Sequence, residues 1–136
     1  MSIGGEIRVP VSFGELVDKI TILELKESFI ADPQKRPFIL RELHALRSIL
    51  GGLDLAGRGD IAAARAALAR VNAELWRVED ALRLCEARQE FGPEFLALAR
   101  SVYLTNDERA RIKRLLNEAF GSLLMEVKSY GGNADG

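Results

Sequence analysis

The sequence is poor in the residues from which disulfides and metal sites are built. Among its 136 residues there is one cysteine, Cys85, and one histidine, His44. One cysteine cannot form a disulfide within the chain, and these two residues cannot complete a zinc site within one chain. The opening residues lack the basic start and apolar run of a secretory signal, and charges interrupt every apolar stretch before the roughly 20 residues that a membrane span needs. These absences predict a cytoplasmic protein with no membrane span.

The sequence also lacks an excess of charge of either sign. Its 19 basic and 20 acidic residues give a formal net charge of -1. This balance offers no overall electrostatic attraction to nucleic acid or to an anionic membrane, so neither is expected as a partner. With 48% apolar residues the composition is not that of a disordered chain. We expect a single domain over residues 1–136.

Between clusters of glycine and proline, apolar residues recur at intervals of three and four, which is typical of helices. Capping boxes predict two helix starts, one at Ser12 with Glu15 and one at Thr105 with Glu108. The pattern predicts five helices: Ser12 to about Ala31, Pro37 to before Gly51, Asp60 to about Gln89, a short helix after Pro93, and Thr105 to near Tyr130. The expected fold is all-α: an antiparallel helical bundle of four long helices plus one short helix, with a short extended arm over residues 1–11 and a flexible tail over 131–136.

Two features favour a homodimer. The first predicted helix is apolar on two sides, and its second stripe comprises Ile22, Leu25 and Phe29. Such a helix lies at the centre of a bundle or turns one side toward another subunit. The third predicted helix spans about 45 Å at 1.5 Å per residue, which is long for a domain of this size.

Several polar residues lie beside or within the apolar stripes, where packing alone does not place them. They fall in three groups along the chain: Glu15, Asp18 and Lys19; Asn72, Trp76, Glu79 and Asp80; and Asn106, Arg109 and Lys113. Inward-facing Arg109 and Lys113 need partners, and the carboxylates are the natural ones. Two interpretations stay open: a polar pocket that binds a small anion or a partner, and a structural salt-bridge network.

The same three groups carry a family resemblance. They lie in the blocks VPVSFGELVDKITILE (residues 9–24), NxxLWxxED (72–80) and VYxxNDxRAxxK (102–113). Together these blocks resemble a family of small bacterial proteins known only as a domain of unknown function, and the middle block also resembles a second uncharacterised bacterial family. The resemblance implies that the polar residues belong to the family's signature blocks. It also implies a link with surface-polysaccharide and glycosyltransferase genes, but no activity or cofactor.

Three functions follow from these patterns. The first is a binding or accessory protein with a polar pocket for a small anionic ligand or partner. The alternative is a small Mg²⁺-dependent enzyme acting on a phosphorylated or nucleotide-type substrate, with Mg²⁺ held by Glu15, Asp18 and Glu79. A second alternative is a purely structural scaffold with a buried salt-bridge network. No glycine-rich loop has phosphate-binding spacing. Outside the enzyme alternative no cofactor is expected, and no catalytic residue can be assigned.

Overall fold

Residues 5–129 are described by a computed structural model, and within this range the chain forms four helices and no strands. The prediction of an all-α fold is therefore confirmed. The helices are α1 (Phe13–Phe29), α2 (Arg36–Gly51), α3 (Gly59–Arg88) and α4 (Pro93–Phe120). None of these helices combines the length and the apolar content that crossing a membrane requires.

The prediction of a separate short helix after Pro93 is wrong, because that segment is the first part of α4. Thr105 lies in the middle of α4 and does not open a new helix. Between Pro93 and the end of α4 there is no further proline and no glycine to interrupt the hydrogen-bonded helix. A capping-box pattern of side chains is compatible with a helix interior, so without a breaker it does not mark a boundary.

The last helix also ends earlier than predicted. Gly121 follows α4 in the left-handed conformation, with φ of 77°, and its N–H donates to the carbonyls of Asn117 and Glu118. This is a common way for a glycine to end a helix. The expectation that the helix continues to near Tyr130 is therefore wrong. Tyr130 itself and the predicted tail, residues 131–136, lie outside the described range.

The start of α1 fits half of the predicted capping box. The Ser12 hydroxyl accepts a hydrogen bond of 3.2 Å from the backbone N–H of Glu15. The Glu15 carboxylate does not return to Ser12; it binds Lys113 of α4 at 2.8 Å. One residue of the helix start is thus diverted from local capping to a contact between helices.

Helix α1 packs against all three other helices, and α3 packs closely against α4. The start of α3 lies beside the end of α4, since Arg58 donates a 2.7 Å hydrogen bond to the carbonyl of Ala119. The core between α1, α3 and α4 contains Phe13, Val17, Ile61, Leu68, Ile112 and Leu116. A second core between α1 and α2 contains Leu16, Ile20, Leu23, Ile39 and Leu43.

The hairpin of α3 and α4 extends beyond α1. Helix α1 has 17 residues, whereas α3 has 30 and α4 has 28. Near the end of α1 the Phe29 ring stacks on Trp76 of α3 with centroids 5.5 Å apart. The second apolar stripe of α1 lies toward the surface, with Ile22 and Leu25 partly buried and Phe29 exposed. The far part of the hairpin therefore relies on contacts between its own two helices.

Candidate functional site

The structure brings together polar side chains from all three predicted groups. They form a network of hydrogen bonds and ion pairs that joins α1, α3 and α4. The members predicted from the sequence are Glu15, Asp18, Asn72, Asn106, Arg109 and Lys113. We call this set, together with Thr21, Asn117 and Glu126, the polar network.

Asp18 is the centre of the polar network. Its side chain is 1% exposed, yet both carboxylate oxygens are paired. The Arg109 guanidinium donates to Oδ1 at 2.9 Å and to Oδ2 at 2.5 Å, which is a bidentate pair. The Asn72 amide donates to Oδ1 at 2.9 Å and to the Thr21 hydroxyl at 2.9 Å. A single carboxylate of α1 is thereby tied to both α3 and α4.

Lys113 forms a second centre one helical turn further along α4. Its ammonium lies 2.8 Å from Glu15 Oε2, 3.3 Å from Glu126 Oε1 and 3.9 Å from Asp18 Oδ2. Its side chain is buried, so these three carboxylates replace the water that an exposed lysine would have. Glu126 comes from the segment after α4, which the network thereby holds against the helices.

The pKa shifts agree with this geometry. Burial alone would raise the pKa of Asp18, but hydrogen bonds from Arg109 and Asn72 and the positive charges of Arg109 and Lys113 outweigh it, so the pKa is lowered. The hydrogen bond to Asp18 raises the pKa of Arg109. Burial acts to lower the pKa of Lys113, but Glu15 and the other two carboxylates reverse the effect and raise it. All three groups are thus held in their charged forms.

The first turn of α1 lies very close to α4. The backbone N–H of Gly14 donates a 2.6 Å hydrogen bond to Asn117 Oδ1, and that of Phe13 donates a 3.2 Å bond to the Ser122 hydroxyl. A Cβ atom on Gly14 would lie 2.5 Å from the carbonyl oxygen of Lys113. The absence of a Cβ atom at Gly14 therefore allows the two backbones to approach. Residues far along the chain accept hydrogen bonds from backbone N–H groups that a helix start leaves without partners.

Four predicted site residues lie apart from the polar network. Lys19, Glu79 and Asp80 are exposed, and within residues 5–129 none of them forms an ion pair or a side-chain hydrogen bond. Trp76 is partly buried and stacks on Phe29. Within the described residues these four side chains make no hydrogen bond or ion pair with Asp18 or Arg109, and their place in one pocket stays a prediction.

The carboxylates of the predicted Mg²⁺ site do not converge. Glu79 lies seven residues after Asn72, about 10 Å further along α3 at 1.5 Å per residue. Asp18 and Glu15 instead bind Arg109 and Lys113. Across the described part of the chain, no three or more histidine, cysteine or acidic side chains are placed to hold a metal ion.

One small hollow borders the polar network. The hollow that borders Lys113 and Asn117 has a volume of about 10 Å³, which is about the space of one water molecule. A larger open hollow of about 330 Å³ lies elsewhere on the α3–α4 hairpin. Its lining is Arg70, Val71, Glu74, Leu104, Thr105 and Glu108, none of which belongs to the network.

The predicted site leaves out three contributors to the polar network, and a simple sequence signal indicates two of them. Arg109, Lys113 and Asn117 are spaced by four residues and so share one face of α4, which extends the predicted face by one turn. Thr21 follows Asp18 by three residues on α1, and its hydroxyl donates to the Asp18 carbonyl at 2.8 Å. Glu126 had no such signal, because its segment was predicted to be helical.

The fold and the polar network define a small all-helical protein in which charged residues link three helices. Over residues 7–135 the sequence matches a family of unknown function, DUF6165, and the chain belongs to that family. Comparisons with curated proteins and with solved structures found no match.

Proposed function

We propose that the protein is a cytoplasmic helical scaffold or accessory protein, in which the polar network holds the helices in place. One observation carries this proposal: among residues 5–129, every buried side-chain nitrogen and oxygen has a hydrogen-bond partner. A site built to bind an anion needs donors that the protein itself does not satisfy. Here Asp18 takes both parallel donors of Arg109, and Glu15 and Glu126 share Lys113.

A buried ion pair is suited to selecting one arrangement of helices. Replacing such a pair with apolar residues is often neutral for stability, whereas separating its partners leaves a charge buried and costs several kcal/mol. Rotating α1 by one residue would turn Asp18 by about 100° and separate it from Arg109. Purely apolar contacts tolerate such shifts better. The network therefore supports one register of α1 in the hairpin.

A scaffold acts through its surface, and the far part of the hairpin offers apolar surface for a protein partner. The exposed large side chains there are Leu84, Phe91 and Leu96. If the genomic setting implied by the family resemblance holds, the partners are enzymes of surface-polysaccharide biosynthesis.

Thermal unfolding with defined anions tests the proposal. The probes are inorganic phosphate, ADP and UDP-glucose, each with and without Mg²⁺. Because the network is already satisfied, we expect no saturable rise of the melting temperature. A ligand at 100 times its Kd would add about 2.7 kcal/mol, a shift of several degrees for a chain of this size.

The variant Arg109→Met and its control Arg111→Met, an exposed arginine of the same helix, locate any binding. A saturable rise that survives Arg111→Met and is lost in Arg109→Met would overturn the scaffold proposal and favour the anion pocket. A rise that appears only with Mg²⁺ and depends on Glu15 would favour the enzyme.

A further inference from the structure

Two segments that belong to no helix lie at the same end of the molecule. They are the leading segment, residues 6–11, and the trailing segment, residues 123–128. Their helix-proximal ends are close together, because the Phe13 N–H donates to the Ser122 hydroxyl at 3.2 Å. If the two segments paired, their strands would therefore be antiparallel.

Both segments expose apolar side chains. Ile7 is 88% exposed, Leu123 is 100% exposed and Val127 is 86% exposed. Isolated exposed apolar residues are common, but here they are concentrated in two short neighbouring segments. β-Branched residues at alternate positions, as at Ile7, Val9 and Val11, are typical of a strand.

The two segments are complementary residue by residue. In an antiparallel register that places residue 6 opposite residue 128, apolar residues face apolar residues and acids face bases. The pairs are Glu6 with Lys128, Ile7 with Val127, Arg8 with Glu126, Val9 with Met125, and Val11 with Leu123. Opposite charges and apolar pairs directly across a strand pair are stabilising, and like charges are destabilising.

Pro10 fits the same register. It lies opposite Leu124. In an antiparallel pair, residues alternate between positions that exchange backbone hydrogen bonds and positions that do not. If Pro10 occupies a position that exchanges no backbone hydrogen bonds, its missing N–H removes no bond between the strands. Ile7, Val9 and Val11 then occupy the hydrogen-bonded positions.

Within one chain the facing residues of the two segments do not pair with each other. Arg8 pairs with Glu6 at 2.8 Å, and Glu126 pairs with Lys128 at 3.5 Å and with Lys113 of α4 at 3.3 Å, so neither segment pairs its charges with the other. Within the described residues, no hydrogen bond or ion pair joins residues 6–11 to residues 123–128. Both segments therefore remain open for pairing.

We propose that the protein self-associates by pairing the leading segment of one copy with the trailing segment of a second copy. A twofold axis produces two such pairs, so that neither copy keeps an unpaired segment and the assembly closes as a dimer. The pairing also buries the exposed faces of Ile7 and Val127 against each other. The interface shares Glu126 with the polar network, but dimer formation and anion binding are measured separately, so the failure of one proposal can be told from the failure of the other.

A charge-swap experiment tests the register. The wild-type chain, of 15.0 kDa, is expected to sediment as a dimer at tens of micromolar. Glu6→Lys places two like charges opposite each other at both symmetric sites and should raise the dimer Kd about tenfold. The double variant Glu6→Lys/Lys128→Glu should restore the Kd. Glu42→Lys, an exposed acid of α2, is the matched control and should leave the Kd unchanged.

A wild-type chain that stays a monomer at about 100 μM would overturn the proposal, since a dimer present at tens of micromolar must be the main species at that concentration. A dimer that ignores Glu6→Lys, or that the double variant fails to restore, would overturn it as well.

A cross-linking experiment identifies the occupant. In a Cys85→Ala background, chains carrying Ile7→Cys are mixed with differently sized chains carrying Val127→Cys and oxidised. Facing residues at hydrogen-bonded positions have Cα atoms about 5.5 Å apart, within the range for a disulfide. The mixed dimer should exceed either self-linked dimer and should not form with Ile49→Cys, an exposed control on α2. If the linked product forms only when both cysteines are in one chain, the segments pair within the chain and the proposal is wrong.

Discussion

Arg109 of α4 donates two parallel hydrogen bonds, of 2.9 and 2.5 Å, to the carboxylate of Asp18 of α1. The two residues are 91 positions apart in the sequence. Because Asp18 is almost fully buried, its charge depends on this partner.

Removing Arg109 should destabilise the fold strongly. In Arg109→Met the buried Asp18 carboxylate keeps Asn72 and a lysine at 3.9 Å but loses its main partner. We expect the free energy of unfolding in urea to fall by about 3 kcal/mol, as for other broken buried pairs. Fluorescence of Trp76, the only tryptophan, reports the transition.

The control for this change is Arg111→Met, which removes an exposed arginine paired with Glu108 and should have little effect. Asp18→Asn combined with Arg109→Met should cost less than the sum of the single changes, because the second change then removes no intact pair. Equal effects of Arg109→Met and Arg111→Met would refute the central place of the pair.

Stability should fall in acid because of Asp18. Its pKa is lowered in the folded state from an ordinary value of 3.8. As the pH drops, the unfolded chain binds a proton at this residue before the folded chain does, which favours unfolding. The stabilising contribution is complete above the ordinary pKa and is lost as the pH falls toward the folded-state pKa.

The measurement is the difference in unfolding free energy between wild type and Asp18→Asn, followed from about pH 5 to about pH 2. This difference should shrink as the pH falls. A difference that stays constant over the range would show that the pKa of Asp18 is not lowered by folding.

Gly14→Ala should weaken the contact between α1 and α4. The added Cβ would lie 2.5 Å from the carbonyl oxygen of Lys113, a backbone atom that cannot rotate away. Overpacking of this kind costs about 1–3 kcal/mol. The matched control is Gly51→Ala at the end of α2, where a Cβ meets no atom within 4 Å. That change should be neutral or slightly stabilising in the same urea titration.

Asn117→Ala should loosen the start of α1. The substitution leaves the buried Gly14 N–H without its acceptor, which costs about 1–3 kcal/mol. Amide hydrogen exchange should then be faster in the first turn of α1 than in wild type. Glu118→Ala, a change at the neighbouring exposed position, is the control. Unchanged exchange at Gly14 in the Asn117 variant would argue against this capping role.

Much of the fold could be predicted from local sequence. Ser12 and the Asp32-Pro33 pair bound α1, and the regular apolar spacing indicates α3. The errors fall where one local pattern has two meanings. Thr105 and Glu108 have the spacing of a capping box, but they lie inside a helix that no glycine or proline breaks before Gly121.

The site could be predicted in part for a related reason. Helical periodicity tells which face a residue occupies, and it correctly grouped Asp18, Asn72 and Arg109. It does not tell how far along α3 the neighbouring helix reaches. Since the Phe29 ring at the end of α1 lies beside Trp76, Glu79 lies further along α3 than α1 reaches. The distance that α1 reaches along α3 cannot be read from periodicity, and this distance decides which residues of α3 meet Asp18.

The capping of α1 by Asn117 and Ser122 also bears on when this protein can finish folding. Their hydrogen bonds to Gly14 and Phe13 span 103 and 109 residues. During synthesis α1 leaves the ribosome long before Asn117 and Ser122 do. Until then the backbone N–H groups of Phe13 and Gly14 lack these hydrogen-bond acceptors. Contacts of such separation slow folding relative to a bundle with only local contacts. Completion of α1 therefore has to follow the synthesis of the end of α4.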